Sequence, residues 1–208
     1  NEKNEDWGKF VYVKKNAKEI LQKDLRKLIK KGEKPAIMLA SATDAWQSIE
    51  KTEEITRGIL ETFISNDFDG ILSCLTKNSL IYRDIDLFKQ IKNVVVGMSI
   101  TGIDDKISSF FEPNASPISE RFKTLEKVNK EGIKTVVFIA PVLPYYFNHL
   151  NELEELFKRI KSIGTNYIIY DLLNFYGNIL SRFKEYFKDS KKGRELYIDL
   201  AQDINYQR

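Results

Sequence analysis

The apolar run Pro35-Ala36-Ile37-Met38-Leu39-Ala40 leads directly into the polar segment Ser41-Ala42-Thr43-Asp44-Ala45-Trp46-Gln47-Ser48-Ile49-Glu50. An apolar run of this length, followed by polar residues, is typical of a buried strand. Ser41, Thr43, Asp44 and Gln47 would then leave the carboxyl end of that strand together. In α/β folds ligands bind at this end of the strands, so the junction is a first candidate binding edge.

The same alternation continues along the chain. Apolar runs predict strands over 35–40, 70–76, 94–100, 134–140 and 167–170, and Phe10-Val11-Tyr12-Val13 predicts a further short one. Amphipathic spacing predicts helices over 16–31, 53–65, 84–91, 117–131 and 150–163, with Asn16 and Ser116 as N-caps and Gly132 and Gly164 as stops. Apolar strands that alternate with helices indicate a parallel sheet that is covered on both faces.

The number of units limits the architecture. A complete eight-unit barrel needs about 250 residues, whereas this chain has 208 and space for five or six units. An open partial barrel and a doubly wound sheet both fit, and periodicity does not separate them. The aromatic residues of the tail, 174–208, predict helices that pack on the body of the domain, and core packing is favoured over a platform for stacking bases.

Composition excludes several classes of protein. The chain carries a net charge of +3, one histidine and one cysteine. That charge is too small to indicate nucleic-acid binding by itself. One cysteine excludes an internal disulfide and suits the cytoplasm, and one histidine weighs against a zinc site built on several imidazoles. No segment resembles a signal peptide, and no apolar run is long enough to span a membrane.

Polar residues recur at the predicted strand ends. In order, they are Ser41, Thr43, Asp44; Thr76, Lys77, Asn78; Ser99, Thr101, Asp104; Pro141, Pro144, Asn148; and Asp171, Asn174. The set contains no nucleophile–base pair and no glycine-rich phosphate loop. It suits a zwitterionic or hydroxyl-rich ligand better than self-contained acid–base catalysis.

Several segments resemble, in order, those of radical S-adenosylmethionine proteins related to spore photoproduct lyase, the DNA repair photolyase-like group. Residues 43–50 resemble its TD-aromatic-Q-x-x-E segment, and Thr56-Arg57 resembles its TR pair. Residues 75–87, Leu-Thr-Lys-Asn-Ser-Leu-Ile-Tyr-Arg-Asp-Ile-Asp-Leu, resemble TKS-x-L-x-x-RD-x-DLL. Further matches are residues 96–101, Glu112-Pro113, Ser116-Pro117, Arg121-Phe122 and residues 140–144.

The resemblance implies a partial (β/α)6 TIM-type barrel over residues 1–173, with a 4Fe–4S cluster and S-adenosylmethionine at the carboxyl edge. In such enzymes the cluster donates an electron to the sulfonium, a carbon–sulfur bond breaks, and a 5′-deoxyadenosyl radical abstracts hydrogen from the substrate.

The resemblance also implies roles for individual residues. Ser41, Thr43 and Asp44 would hold the methionine amino and carboxylate groups. Lys77 would serve the methionine carboxylate or the ribose side, and Ser99 would contact the ribose. Arg121 would pair either with Glu112 or with the ligand carboxylate.

One departure from the family pattern concerns the cluster. The family holds it with three cysteines spaced Cys-x-x-x-Cys-x-x-Cys, whereas this chain has only Cys74, which lies in an apolar run and is expected in the core. The family places these cysteines just after the first barrel strand. We therefore expect that strand and the cluster loop to lie upstream of Asn1.

Three functions remain open on sequence grounds. The first is a radical S-adenosylmethionine enzyme that acts on an unknown substrate. The second is a cluster-free module that binds a nucleoside-like ligand or a partner. The third is a nucleic-acid-binding repair protein that uses the basic residues of the first helix, although Glu19, Asp24 and Glu33 interrupt them and favour a solvated face.

Overall fold

Five parallel strands form one sheet in the order β1-β2-β3-β4-β5. The computed structural model of the chain describes residues 10–39, 41–142 and 149–172, together with the isolated positions 181, 185 and 188. The strands are β1 Ala36–Leu39, β2 Ile71–Thr76, β3 Val94–Ser99, β4 Lys134–Val142 and β5 Tyr167–Leu172. The helices are α1 Ala17–Lys30, α2 Glu50–Glu53, α3 Ile55–Ser65, α4 Ile85–Phe88, α5 Asp105–Phe111, α6 Ile118–Lys130 and α7 Leu150–Ile163.

The strand order decides between the two predicted architectures. A doubly wound sheet reverses direction at a switch point, so its strand order is not sequential. Here each strand lies beside its neighbours in the sequence, as in a barrel, and β1 and β5 each pair on one side only among the described residues. The prediction of an open partial TIM-type barrel is confirmed.

Alternation along the strands separates two faces of the sheet. Leu72 and Cys74 of β2 and Val96 of β3 are buried in a core that they share with Leu60 and Phe63 of α3. The next residues along each strand point to the opposite face, where the register brings Leu75 beside Gly97. A second core, on the helix-covered face of β3 and β4, includes Met98, Leu125, Val137 and Leu156.

The strand predicted at Phe10–Val13 is wrong. These four residues are irregular, and Phe10, Val11 and Tyr12 are exposed. A β-prone run becomes a strand only when it pairs with a neighbour, and in the described residues β1 pairs with β2 alone.

The segment after β2 also differs from the prediction of a single helix over 84–91. Ser79–Asp84 forms a 3₁₀ helix, and α4 adds about one turn. Helix α5 was not predicted; it begins where Asp104 accepts hydrogen bonds from the amides of Lys106 (2.7 Å) and Ile107 (3.4 Å).

Asn16 is the N-cap residue of α1, as predicted, whereas the predicted cap Ser116 is wrong and the glycine stops are confirmed. Asn16 makes no side-chain cap bond. Ser116 Oγ accepts a hydrogen bond from the Ser79 amide (2.9 Å), outside the helix, and the N-cap of α6 is Pro117. Gly132 and Gly164 have φ values of 79° and 77°, in the left-handed region that favours glycine after a helix.

None of the helices in the described ranges is both long and apolar enough to cross a bilayer. The predicted helical extension over 174–208 and the edge residues Pro144, Asn148 and Asn174 lie outside the continuously described residues.

Gly97→Ala tests the packing of the face opposite the helices. A Cβ at this position would lie 2.7 Å from Val136 Cγ1 and 3.2 Å from the Cys74 carbonyl oxygen. We expect overpacking to lower the free energy of unfolding by about 1–3 kcal/mol in urea titrations. The matched control is Gly58→Ala in α3, where the nearest atom is Lys18 Cδ at 3.6 Å, and higher helix propensity should raise stability by up to about 1 kcal/mol. Equal effects of the two substitutions would contradict this packing.

Candidate functional site

A cleft of about 370 Å³ lies at the carboxyl edge of the sheet. Its walls come from the loops after β1 and β2 and from the segment between α5 and α6. The lining residues are Asp44, Gln47, Lys77, Asn78, Phe111, Glu112, Pro113, Asn114 and Ala115. One cationic side chain, two carboxylates and three amides therefore face a common space beside an aromatic ring.

Asp44 fixes the loop after β1 to the end of β2. Its carboxylate accepts hydrogen bonds from Thr76 Oγ1 (2.7 and 2.8 Å) and from the Lys77 amide (2.8 Å). It also accepts one from the Trp46 amide (2.8 Å), which closes a turn within the loop. These contacts occupy much of the carboxylate's capacity to accept hydrogen bonds, so Asp44 shapes the cleft as well as lining it.

Lys77 is held by an ion pair across the cleft. Its Nζ lies 2.6 Å from Glu112 Oε1, and its side chain is 39% exposed whereas that of Glu112 is 14% exposed. A further backbone hydrogen bond, from the Ser116 amide to the Lys77 carbonyl (3.0 Å), ties the same two segments together. The ammonium group therefore faces solvent from a fixed position.

Glu112 is held in turn by a buried arginine. Arg121 is fully buried, and its Nη2 donates to Glu112 Oε2 at 2.6 Å. Its other nitrogens donate to the carbonyls of Ser116 (2.7 Å) and Ser99 (3.0 Å). A fork of charge-assisted and carbonyl contacts of this kind is rigid. One guanidinium group thereby joins the end of β3, the segment before α6 and Glu112, whose carboxylate pairs with Lys77 after β2.

A second ionic centre lies behind the loop after β1. Asp84 is fully buried, and its carboxylate accepts hydrogen bonds from Trp46 Nε1 (2.9 Å), Arg57 Nη1 (3.0 Å), and Arg83 Nε (2.8 Å) and Nη2 (3.0 Å). The indole bond seats Trp46, which is also fully buried, directly beneath the loop that carries Asp44.

Two further carboxylates complete this ionic centre. Glu50 accepts hydrogen bonds from Arg83 Nη2 (3.0 Å) and from the Thr56 amide (2.9 Å), and Asp86 accepts two from Arg57 (3.1 and 2.6 Å). The hydrogen bond from Arg57 holds the pKa of Asp86 below its ordinary value. Hydrogen bonds to Asp86 and Asp84 raise the pKa of Arg57, and one to Asp84 raises that of Arg83.

The predicted site residues divide into three groups. Asp44, Lys77 and Glu112 line the cleft together. Ser99 and Arg121 are buried behind it, and Arg121 takes the Glu112 alternative of the two that were expected. Ser41 and Thr43 are exposed and are not among the residues that line the cleft.

Other residues of the site were not singled out from the sequence. Gln47 and Asn78 belonged to the predicted polar edge but had no assigned role. Phe111 and Asn114 had no signal, because Phe111 ends the unpredicted helix α5 and Asn114 follows that helix rather than a strand. The residues of the ionic centre around Asp84 were noted in the sequence only as parts of segments that resemble the family, with no predicted contact between them. The charged residues of this centre come from two separate segments, 50–57 and 83–86, and the first of these is charged and polar throughout most of its length, so nothing in the sequence marks the centre as buried.

The described residues do not fit an iron–sulfur cluster. The whole chain has one cysteine. Cys74 is buried in β2, and burial raises the pKa of its thiol far above the ordinary value, so it is not the thiolate that iron requires. Among the described residues no group of three or more His, Cys, Asp or Glu side chains could hold a metal ion.

The chain resembles several proteins in sequence, and no family model matches it. An uncharacterised protein of Methanocaldococcus jannaschii is 30% identical over 184 residues, which are 88% of this chain and 64% of the relative. An uncharacterised protein of the Acidianus two-tailed virus is 27% identical, over 82% of this chain and 56% of its own length. The chain thus spans less than two thirds of the length of these relatives.

Solved structures with the same arrangement of strands and helices include spore photoproduct lyase complexed with dinucleoside spore photoproduct, at a TM-score of 0.61 and 17% identity, over 87% of this chain and 53% of that one. Another is SuiB of Streptococcus suis bound to S-adenosylmethionine, at a TM-score of 0.57 and 13% identity, over 89% and 41%. At such identities the likeness concerns the fold. The chain has the partial-barrel fold seen in radical S-adenosylmethionine enzymes.

Asp84→Asn tests whether the buried ionic centre supports the loop. Loss of the carboxylate charge leaves Arg57 and Arg83 without their shared buried partner, so we expect the free energy of unfolding to fall by about 3–5 kcal/mol. The control is Asp86→Asn, which removes another partner of Arg57. The Asp86 side chain is 52% exposed, so this substitution should lower the free energy of unfolding by less than about 1 kcal/mol. Urea unfolding measures both, and similar losses would show that burial of Asp84 is unimportant.

Proposed function

We propose that this chain forms the S-adenosylmethionine-binding part of a radical S-adenosylmethionine enzyme. The observation that carries the proposal is the cleft in which Asp44, Lys77 and Glu112 meet at the carboxyl edge of the partial barrel. Support also comes from the fold, because two structures that share it hold S-adenosylmethionine: SuiB and anSMEcpe, the latter at a TM-score of 0.53 and 15% identity, over 82% of this chain and 49% of that one.

The donor set of the cleft fits the chemistry of the ligand. S-adenosylmethionine carries a carboxylate, an ammonium group, a sulfonium, two ribose hydroxyls and an adenine ring. Lys77 offers a charge-assisted donor for the carboxylate, and Glu112 and Asp44 offer acceptors for the cationic groups. The amides of Gln47, Asn78 and Asn114 add donors and acceptors for hydroxyls.

The residues behind the cleft would keep this donor set in place. Arg121 neutralises Glu112 and anchors it to the backbone of β3, so the Glu112 carboxylate can orient Lys77 without swinging into the cleft. Preorganisation of this kind lowers the entropic cost of binding. We assign Ser99 to the same supporting role through its carbonyl, and we retain Ser41 and Thr43 as residues that could meet the ligand from the loop after β1.

The proposed reaction needs groups beyond the described residues. When bound, S-adenosylmethionine supplies one-electron chemistry that ends in removal of hydrogen from a substrate. Because the 208 residues cannot hold the iron–sulfur cluster, we propose that its cysteines come from protein outside them. We also retain the division into a barrel over 1–173 and a helical extension over 174–208. The substrate is not specified by any described residue.

The lack of three suitable cysteines in this chain also favours a second candidate. This is a cluster-free module that uses the same cleft to bind a nucleoside-like ligand without radical chemistry. Iron analysis of the product of the complete gene separates the two candidates. Stoichiometric iron supports the enzyme, and S-adenosylmethionine binding without iron supports the module.

Lys77→Gln tests the proposed ligand site. Isothermal titration of the purified chain with S-adenosylmethionine should give measurable binding, and the substitution should weaken it at least about tenfold, because a hydrogen bond to a charged group contributes about 1.5–3 kcal/mol. The control is Lys130→Gln, at the far end of α6. Lys130 is 72% exposed and pairs only with Glu126 among the described residues, so affinity should not change.

The outcomes of this titration are distinct. Binding that is lost in Lys77→Gln and kept in Lys130→Gln supports both the ligand and the site. Absence of binding to the unsubstituted chain contradicts the proposed function. Binding that Lys77→Gln leaves unchanged contradicts the site.

A further inference from the structure

The charge of the chain is concentrated in one short segment. Residues 14–34 contain nine basic and three acidic residues, a net charge of +6. Because the whole chain has a net charge of +3, the other 187 residues together carry −3. A local excess of this kind gives one surface a strong positive field even though the molecule is almost neutral.

The structure shows which of these cations are already paired. Lys18 meets Glu61 at 3.5 Å, Lys27 meets Asp24 at 2.9 Å, and Lys34 meets Asp69 at 2.5 Å. Lys23, Arg26 and Lys30 make no ion pair with any described residue. Their spacing of i, i+3 and i+7 places them on one side of α1, and we refer to these three residues as the basic stripe.

The basic stripe borders a shallow groove of about 670 Å³. Gln22 of α1 and Asn66, at the end of α3, join their amides across it through hydrogen bonds of 2.7 and 2.9 Å. Glu19 lies at the N-terminal end of the groove, and Ile29, which is 48% exposed, lies beside the stripe. The described lining of the groove thus holds four cations, of which only Lys27 pairs with a described residue, and one carboxylate, that of Glu19.

The spacing of the stripe fits a polymer of phosphates. Seven residues of helix rise about 10 Å, and one strand of B-DNA presents about three phosphates over that axial distance. A membrane surface fits less well. An interfacial helix inserts its apolar face, but here Leu25 is fully buried and Leu21 and Leu28 pack against the core with it, so that face is not available to lipid.

We propose that the basic stripe binds the phosphodiester backbone of a nucleic acid without reading its sequence. The stripe lies on the outer helix layer, and the cleft lies at the carboxyl edge. The contact would therefore anchor a nucleic acid without placing it in the ligand site. This proposal goes beyond the proposed function, and it requires neither S-adenosylmethionine nor iron.

The test uses the purified full chain and fluorescence anisotropy with short labelled duplex DNA, single-stranded DNA and single-stranded RNA of one sequence. Salt is varied from about 50 to about 200 mM. If the stripe neutralises three phosphates, the logarithm of the binding constant should fall with the logarithm of the salt concentration, with a slope near −3 for a duplex and near −2 for a single strand. The variant is the triple substitution Lys23→Gln, Arg26→Gln and Lys30→Gln. Glutamine is a good helix former, so α1 should persist, which circular dichroism checks.

A second triple substitution provides a charge-matched control. Lys123→Gln, Lys130→Gln and Lys158→Gln remove the same total charge from exposed positions on α6 and α7. The proposal expects the basic-stripe variant to bind at least about tenfold more weakly at low salt and to lose most of the slope. The control should bind within about twofold of the unsubstituted chain. The polymer that binds most tightly identifies the class of nucleic acid that the basic stripe prefers.

Three results would overturn the proposal. One is absence of binding to all three nucleic acids at low salt. Another is an equal loss of affinity in both triple variants, which would reflect overall charge rather than the basic stripe. The last is stripe-dependent binding to phosphatidylserine vesicles that exceeds binding to every nucleic acid, which would assign the surface to lipid.

Discussion

The buried carboxylate of Asp84 is the contact on which the candidate site depends. It is fully buried and accepts hydrogen bonds from two arginines and an indole, so its removal would deprive all three donors of a shared buried acceptor. The indole belongs to Trp46, whose backbone amide closes the turn on Asp44. A charge centre within the core thus determines where a surface loop sits, and that loop forms one wall of the cleft.

On the opposite wall of the cleft a buried charge also positions a surface group, but the buried charge is positive. There the buried group is a cation, Arg121, and the group that it positions is the carboxylate of Glu112. Since both ionic centres are satisfied within the protein, the cleft between them presents charged groups whose positions are set before any ligand arrives. Lys77 contacts both walls, through Glu112 and Asp44, and its side chain stays partly exposed to the cleft. We therefore propose that it binds the carboxylate of the ligand.

Sequence patterns predicted the five paired strands and part of the site, but not the exposure of β5, all six residues of which are exposed. Buried strands such as Val94–Ser99 are apolar throughout, and residues that follow strand ends, such as Asp44 and Lys77, do meet at one edge. The 3₁₀ helix at Ser79–Asp84 was not predicted, because the predicted helix began only at residue 84 and the burial of Asp84 depends on Trp46 and Arg57 from an earlier part of the chain. Asn114 could not be predicted, because its position depends on α5, a short helix whose cap became evident only in the structure.

A crystal structure of the chain with S-adenosylmethionine would test the central claim most directly. We predict that the ligand lies at the carboxyl edge, with its methionine carboxylate within hydrogen-bonding distance of Lys77 Nζ. The contacts from Glu112 to Arg121 and from Asp44 to Thr76 should remain intact. A ligand bound elsewhere on the sheet, or one that binds only after Asp44 has left Thr76, would contradict this prediction.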